Sequence, residues 1–272
     1  MLNDAEERVR NFYSNVGWKE EYGVTEDARL WEDLRPCARE YVSKCRLRVL
    51  RHIPASGARI LDMASGPIQY PEYLAYSKNF AKRYCVDLSM EALESAKAKI
   101  GERGVYLCGS FFDLELDSDM FDCVISLHTL YHIDSKLQEH AVRKLIRVCK
   151  PGASVVIVYS NPNCLPARLK RLLLAARIIG RANVRSATVG SANANEGLYV
   201  FHHPLAWWEQ FSDETDVQIY PWRSLGSRDQ KRFIPDNAVG RAIFSLLYKA
   251  ENLFPWFFVR YFQYPMIVLT KK

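Results

Sequence analysis

The sequence predicts an α/β fold: a doubly wound, mostly parallel seven-stranded sheet with helices on both faces. Two observations lead to this prediction. Between residues 59 and 159, short apolar segments alternate with helical segments, which is typical of a parallel sheet covered by helices. Two further strand-like segments, 216–222 and 265–270, complete the set of seven strands. A chain of 272 residues is long enough to bury such a core.

The first five strands are short apolar segments followed by small or polar residues. They are predicted at residues 59–63, 83–87, 105–108, 121–127 and 155–159. One helix is predicted over residues 90–100, because Ser89 is a favourable N-cap, and another over residues 136–148. The strand and helix lengths therefore agree with repeated strand–helix units.

The segments outside this alternation are predicted to cover the sheet. Residues 1–55 form an N-terminal helical cap, in which residues 30–53 are expected to be one long amphipathic helix kinked at Pro36. Residues 56–272 form the sheet domain. Its two insertions, 161–215 and 223–263, are expected to form a lid over a ligand pocket. The aromatic tract 253–262 is expected to pack over that pocket or over the sheet edge.

Composition and charge exclude several classes of protein. The net charge of +6 is spread along the chain, and no nucleic-acid module is visible, so we expect no nucleic-acid partner. No apolar run approaches membrane-spanning length. The aromatic and basic residues of 253–262 would permit interfacial binding, but we expect no membrane contact. The seven cysteines form no CxxC pair, and the first residues do not resemble a signal peptide, so a cytoplasmic protein is expected.

The end of the first strand carries the first functional signal. Asp62 ends the apolar segment, and the small residues Ala64, Ser65 and Gly66 follow it. Asp87 ends the second strand, 21 residues after Gly66. In doubly wound folds ligands bind at the carboxyl ends of the strands, where an acid can hold ribose hydroxyls. The alternative is a tight turn beside a surface acid.

The same turn disfavours two common nucleotide-binding classes. It contains one glycine, with Pro67 and Ile68 where a dinucleotide-binding Gly-x-Gly-x-x-Gly turn needs further glycines. The phosphate-binding pattern Gly-x-x-x-x-Gly-Lys-Ser/Thr is also missing. A turn with few backbone donors for phosphate suits a nucleoside ligand without a pyrophosphate. S-adenosylmethionine is such a ligand.

Four ordered segments between residues 55 and 160 carry a resemblance to a known family. They are 60–67, 85–89, 109–122, and 121–133 followed by 147–152. In this order they resemble the motifs of class I S-adenosylmethionine-dependent methyltransferases, in the small-molecule branch that includes the quinone-biosynthesis enzymes. Two positions depart from the family pattern. Ala64 stands where a glycine is usual, and Ser110 stands where an acid commonly accepts a hydrogen bond from the adenine amino group.

The resemblance implies S-adenosylmethionine as the cofactor and a role for each residue of the donor site. Asp87 should hold the ribose, and Leu88 should pack on the adenine. The turn should line the methionine portion of the ligand. The remaining implied contacts are Ser110 and Phe111 at the adenine edge, Leu127 and His128 beneath the sulfonium, and Asp62 ordering the loop near the ligand's ammonium group.

The segment after the fourth strand carries the candidate catalytic residues, His128, Tyr131 and His132. Histidine suits a general base because its unperturbed pKa lies near neutrality. Each histidine is alternatively a packing residue, and Tyr131 is alternatively a pocket wall. The signature His-Glu-x-x-His is missing and no acidic cluster accompanies the pair, so no metal is predicted. Arg46 and Arg48 would be able to reach a ligand carboxylate but are expected to be solvated.

The sequence therefore predicts methyl transfer from S-adenosylmethionine to an oxygen or nitrogen atom of a small metabolite. Aromatic residues outside the sheet favour an apolar or ring-shaped acceptor. They are Tyr13, Trp18, Tyr22, Tyr199, Phe201, His202, His203, Trp207 and Trp208. Three alternatives remain open: methyl transfer to a carbon atom, transfer of another group from the same ligand, and a nucleoside-binding regulator without catalysis.

Overall fold

A computed structural model describes residues 2–175 and 198–272 and contains the predicted seven-stranded sheet. Its strands, in chain order, are β1 (Gly57–Met63), β2 (Phe80–Asp87), β3 (Gly104–Cys108), β4 (Phe121–Leu127), β5 (Cys149–Val158), β6 (Thr215–Arg223) and β7 (Tyr264–Lys271). Each overlaps a strand predicted from the sequence, and β4 has the predicted bounds. The predicted fold class is confirmed.

The strands lie in the spatial order β3-β2-β1-β4-β5-β7-β6. All neighbouring pairs are parallel except those made by β7, which runs antiparallel to both β5 and β6. The chain leaves β1 in one direction for β2 and β3 and returns to its other side at β4. The topological switch point therefore lies between β1 and β4, where ligands bind in this class of sheet.

Ten α-helices are described, and several short helical turns accompany them. In chain order the helices are α1 (Asp4–Phe12), α2 (Glu26–Trp31), α3 (Arg39–Leu47), α4 (Pro71–Ala75), α5 (Met90–Ile100), α6 (Gln138–Val148), α7 (Leu165–Ala175), α8 (Ser227–Phe233), α9 (Ala238–Leu253) and α10 (Pro255–Tyr261). The predicted N-cap of α5 is confirmed, because the Ser89 side chain accepts a hydrogen bond from the Ala92 amide. A short hairpin joins Glu20–Glu21 to Val24–Thr25.

Alternate residues of the strands build two apolar cores, one on each face of the sheet. Leu61 and Val124 pack on one face with α6 and with Trp208, which is fully buried. Ile60 and Cys123 pack on the other face with Val49, which follows α3. This alternation is the period-two pattern of strands that are covered on both sides. Both faces of the sheet are therefore covered, and its strand ends lie at the edge between the two layers.

The prediction of one long helix over residues 30–53 is wrong. The chain forms α2 up to Trp31, runs without regular structure past Pro36, and resumes as α3 and a 3₁₀ turn, Arg48–His52. Proline disfavours a helical conformation at the preceding residue and donates no backbone hydrogen bond, so the helix is interrupted there rather than kinked. Asp33 holds the interruption by pairing with Arg35 at 2.7 Å.

The expectation that Arg48 is solvated is also wrong. Its guanidinium is buried, lies 2.8 Å from the Glu251 carboxylate of α9, and donates a hydrogen bond to the Trp222 carbonyl of β6 at 2.9 Å. The same carboxylate accepts a hydrogen bond from the Tyr41 hydroxyl of α3 at 2.6 Å. One buried ion pair therefore joins the N-terminal cap, the second insertion and the sheet.

The aromatic tract 253–262 packs on the sheet edge, as predicted, through contacts of α10 with the edge strand β6, and part of the tract stays exposed. Phe258 is buried, whereas Leu253, Phe254 and Trp256 are exposed. The segment of small residues 186–196, within the first predicted insertion, lies outside the described residues. No helix in residues 2–175 and 198–272 is long and apolar enough to cross a membrane.

Candidate active site

The turn after β1 and the acid that ends β2 meet at the carboxyl edge of the sheet. The Gly66 amide donates a hydrogen bond to one Asp87 carboxylate oxygen at 2.9 Å. The other oxygen accepts a hydrogen bond from the Ser89 amide at 2.9 Å. Each oxygen of an ionised carboxylate has a second lone pair. Asp87 therefore keeps acceptor capacity for ligand hydroxyls while the backbone holds its orientation.

Burial governs the protonation of Asp87. Desolvation raises its pKa to about 6, although the amides of Ser89 and Gly66 oppose the shift by stabilising the charged form. Asp62 adds a smaller rise through charge repulsion. The carboxylate is therefore mainly ionised at neutral pH and gains a proton as the pH falls through about 6.

The small-residue turn needs backbone conformations that larger residues rarely adopt. Ala64 has a φ of 59° and Gly66 a φ of 54°. A Cβ atom at Gly66 would lie 2.9 Å from the Trp18 ring, so a side chain there would collide with the N-terminal cap. Tyr13 stacks on Trp18 with ring centroids 4.7 Å apart. The cap therefore covers this turn with two aromatic rings.

Asp62 lies beneath the turn and pairs with Arg83 of the neighbouring strand. Its carboxylate is buried and accepts a hydrogen bond from the guanidinium at 2.5 Å. Burial raises the pKa of Asp62, and the charge of Arg83 opposes that rise. The observed role of Asp62 is to join β1 to β2 just before the turn. Its predicted role in ordering the loop near a ligand ammonium group stays a prediction.

The predicted adenine edge contains a carboxylate that the motif lacks. The buried Ser110 hydroxyl donates a hydrogen bond to the Glu6 carboxylate of α1 and accepts one from the Phe112 amide at 3.2 Å. Phe111 is buried in the sheet core beneath Lys144, whose ammonium lies 4.9 Å from its ring centroid. Leu88 follows β2 and Leu127 ends β4, so both lie at the same carboxyl edge.

The three candidate catalytic residues lie together after β4, at the switch point. His128 has a φ of 59°, and its ring lies 4.6 Å from the Trp222 ring and 5.5 Å from the Tyr264 ring, between centroids. Burial lowers its pKa well below the usual value, and the charge of Arg223 lowers it further. His128 is therefore neutral at physiological pH.

His132 is held in one tautomer. Its Nδ1 lies 2.8 Å from the Tyr199 carbonyl oxygen, which can only accept, so Nδ1 carries the proton. Nε2 then bears the lone pair. Burial lowers the pKa of His132 to about 4, although the hydrogen bond to Tyr199 opposes the shift. The ring therefore presents an unprotonated nitrogen at neutral pH.

The end of the first insertion completes the wall around His132. The Phe201 amide donates to the Tyr131 carbonyl at 2.8 Å, and the His203 amide donates to the Tyr159 hydroxyl at 3.0 Å. These bonds place the His202 ring 4.9 Å from the Tyr131 ring. On the opposite side, Tyr13 of the cap meets His132 edge-on at 6.5 Å. Rings from three distant segments therefore surround the candidate catalytic residues.

A buried group of charges borders His128. Arg223 at the end of β6 lies 2.6 Å from the Glu32 carboxylate. Arg46 lies 3.6 Å from Glu32 and 3.6 Å from Glu72, and its guanidinium stacks 3.3 Å from the Tyr70 ring centroid. Arg46 is buried, so the expectation that it is solvated is wrong. Its Nε and one Glu72 carboxylate oxygen are buried and have no hydrogen-bond partner within the described part of the chain.

Several residues at the site escaped the sequence analysis. They are Glu6, Asp27, Glu32, Trp222, Arg223 and Tyr264. None belongs to a motif, and each reaches the site through the packing of the cap or of the last two strands. Among the described residues, no group of three or more histidine, cysteine, aspartate or glutamate side chains is arranged to hold a metal ion.

Comparisons with known proteins agree with this geometry. Residues 61–157 match the family model described as "Methyltransferase domain". Similar solved structures include a chain of the complex between the Haloferax volcanii Trm112 methyltransferase activator and the putative methyltransferase, at 18% identity and a TM-score of 0.52. That match covers 86% of this chain and 93% of the other.

Two further structures show the same fold. A SAM-dependent methyltransferase from Archaeoglobus fulgidus is 16% identical, with 86% of this chain and 94% of the other covered and a TM-score of 0.51. A putative S-adenosylmethionine-dependent methyltransferase from Listeria monocytogenes is 14% identical, with 85% and 99% covered and a TM-score of 0.51. The narrower likeness to quinone-biosynthesis enzymes stays a prediction. Residues 61–157 therefore match a methyltransferase domain, and the sheet around them has the fold of these S-adenosylmethionine-dependent enzymes.

Proposed function

We propose that this chain transfers the methyl group of S-adenosylmethionine to an oxygen or nitrogen atom of a small, ring-bearing acceptor. The observation that carries the proposal is the hydrogen bond between Gly66 and Asp87. It brings a close-approach turn and a buried acid to one place beside the switch point. A nucleoside with two free ribose hydroxyls and no pyrophosphate suits that pair.

The donor site is built from the first two strands and the cap. Asp87 would accept hydrogen bonds from the ribose hydroxyls, and the turn at Ala64, Ser65 and Gly66 would contact the methionine portion. Tyr13 and Trp18 would exclude water from that side. When bound, S-adenosylmethionine supplies a methyl group attached to a positively charged sulfur. That sulfur is a good leaving group because it departs as a neutral thioether.

Glu6 supports recognition of the adenine. The family position for an adenine-binding acid is Ser110 here, and the Glu6 carboxylate bonds to that serine from α1. We propose that the Glu6 carboxylate accepts a hydrogen bond from the adenine amino group, because an ionised carboxylate can only accept hydrogen bonds. A carboxylate would thus lie near the family's usual adenine-binding position, but it would come from a residue 104 positions away from Ser110 in the sequence.

The acceptor site would lie among the aromatic rings next to His128 and His132. Rings favour a flat or apolar acceptor because they bury large areas and stack on other rings. The acceptor atom would attack the methyl carbon in line with the carbon–sulfur bond, whose electron pair leaves on sulfur. In-line transfer chiefly requires alignment and the exclusion of water.

We assign to His132 the role of general base, which accepts the proton of the acceptor atom. As the acceptor atom forms its new bond to carbon, its hydrogen would pass to Nε2 of His132, which bears the lone pair. Nδ1 would remain bonded to the Tyr199 carbonyl, which stabilises the resulting imidazolium. His128, Tyr131 and Leu127 would shape the space in front of the sulfonium.

Calorimetry with S-adenosylmethionine and S-adenosylhomocysteine tests the donor site. We expect saturable binding of both ligands and weaker binding by Asp87→Ala. Transfer of a radiolabelled methyl group into a small-molecule extract then tests catalysis. Binding without transfer into any extract fraction would favour a nucleoside-binding regulator, and no binding of either ligand would overturn the whole proposal.

A further inference from the structure

Helix α9 has apolar residues on two sides, and only one side is covered by residues of the described ranges, 2–175 and 198–272. The covered side packs on α3, where Phe244 stacks on Tyr41 with ring centroids 5.0 Å apart. The uncovered side has residues at helical spacing, four, three and seven positions apart, and all are exposed: Val239, Ile243, Leu246 and Leu253. This stripe faces away from the core.

The start of α10 continues the stripe. Phe254 and Trp256 lie on either side of Pro255, directly after the last residue of α9, and both side chains are exposed. We call these two residues and the four of the stripe the apolar face. Their exposed fractions lie between 38% and 71%. Single exposed apolar residues are ordinary, but a grouped set of this size marks an interaction surface.

The exposed charged residues within α9 and α10 all have the same sign, and the exposed acid Asp236 precedes the N-cap of α9. The exposed charged residues of α9 and α10 are Arg241, Lys249 and Arg260. The one acid of these helices, Glu251, is buried against Arg48 and is not available to a partner. Lys249 follows Leu246 by three positions and precedes Leu253 by four, so it borders the stripe. The surface is therefore apolar with a basic margin.

We propose that the apolar face docks on an anionic phospholipid membrane surface. Leucine, isoleucine, phenylalanine and tryptophan side chains would enter the boundary between headgroups and acyl chains, where tryptophan is favoured. Lys249 and Arg260 would meet the anionic headgroups, whereas Arg241 lies on the opposite side of α9, two positions from Val239 and from Ile243. Symmetric pairing of two copies would bring the same basic margins together, so charge favours an anionic partner over a second chain.

Co-sedimentation of the full chain with vesicles tests this proposal. We expect retention on vesicles of phosphatidylcholine mixed with phosphatidylglycerol at low salt, and little on phosphatidylcholine alone. The double variant Leu246→Ser/Trp256→Ser should lower the bound fraction about tenfold. Lys249→Glu should also weaken retention. Met90→Ser, which changes an exposed apolar residue on α5, is the matched control and should bind as the unchanged protein does.

Three outcomes would overturn the proposal. They are no retention on the mixed vesicles, equal retention on the two kinds of vesicle, and unchanged retention of the double variant. A dimer that Leu246→Ser/Trp256→Ser dissociates, together with no vesicle binding, would assign the face to pairing between copies. Thermal unfolding of each variant shows that the changed residues alter the surface and not the fold. Donor ligand is omitted throughout, so the result is independent of the proposed methyl transfer.

Discussion

The donor half and the acceptor half of the candidate active site are built in different ways. Gly66 and Asp87 come from adjacent parallel strands and are 21 residues apart. The residues around His128 and His132 come from the cap, the end of the first insertion and the last two strands. A local strand-end motif fixes the donor half, whereas the acceptor half exists only after distant segments have packed.

This difference predicts that the acceptor half is the more sensitive to changes in remote structure. Arg48 and Glu251 illustrate the point, because they join the 3₁₀ turn after α3 to α9 and to β6, whose Trp222 ring lies against His128. The donor turn depends mainly on β1, β2 and their shared register. Changes to residues around the acceptor half should therefore alter stability or turnover, whereas changes to residues of the donor half should alter donor affinity.

The largest effect is expected from removing the buried acid that joins the three elements. Glu251→Ala leaves Arg48 as a buried, unpaired charge and should lower the free energy of unfolding by about 3–5 kcal/mol. Chemical denaturation measures this loss. Glu94→Ala, which removes an exposed acid on α5, should change the free energy of unfolding little. Equal stability of the two variants would contradict the proposed role of the ion pair.

The next largest effect is expected on turnover. His132→Ala removes the nitrogen that we assign to the acceptor proton and should lower kcat about 10²-fold or more, while donor affinity changes little. His128→Ala is the comparison, because its ring lies in the same wall against Trp222. If both variants lose the same activity, or if His132→Ala loses only donor affinity, His132 is not the base.

Sequence reasoning succeeded where short-range signals decide the structure. Apolar alternation located the seven strands of the large sheet but not the short hairpin of Glu20–Glu21 and Val24–Thr25, and Ser89 correctly marked the start of α5. It failed where packing decides. Nothing near Arg48 in the sequence indicates that its partner is Glu251, and nothing near Ser110 indicates that Glu6 contacts it. Both pairs join residues more than 100 positions apart, which no local pattern encodes.

Within the donor half, Asp87→Ala should have the largest effect. Loss of hydrogen bonds from the ribose hydroxyls should weaken S-adenosylhomocysteine binding by about 1–3 kcal/mol, or about five- to hundredfold. Asp117→Ala changes an exposed acid outside the site and serves as the control in calorimetry. Unchanged affinity in Asp87→Ala would place the ribose elsewhere.

Donor affinity should also depend on pH through Asp87. Its pKa is raised to about 6 in the free protein, and hydrogen bonds from ribose would favour the ionised form. Affinity should therefore be nearly constant above pH 7 and fall about tenfold from there to pH 5. Asp27 also has a pKa raised to about 6 and contacts Tyr13, so Asp87→Asn is needed as the control. A persistent pH dependence in Asp87→Asn would assign the titration to Asp27.

The smallest effect, and the most specific, is expected at Glu6. Its second carboxylate oxygen accepts a hydrogen bond from the Asn3 amide at 3.0 Å, and glutamine preserves that capping interaction. Glu6→Gln should therefore fold normally but lower the preference for S-adenosylhomocysteine over its hypoxanthine analogue about two- to tenfold. The reason is that a glutamine amide can donate to the hypoxanthine oxygen, whereas a carboxylate cannot. The double variant Glu6→Ala/Ser110→Asp, which returns the acid to its usual position, should restore the preference for adenine. If Glu6→Gln binds both analogues with an unchanged preference, Glu6 does not recognise the adenine. That result would not contradict the rest of the proposed donor site.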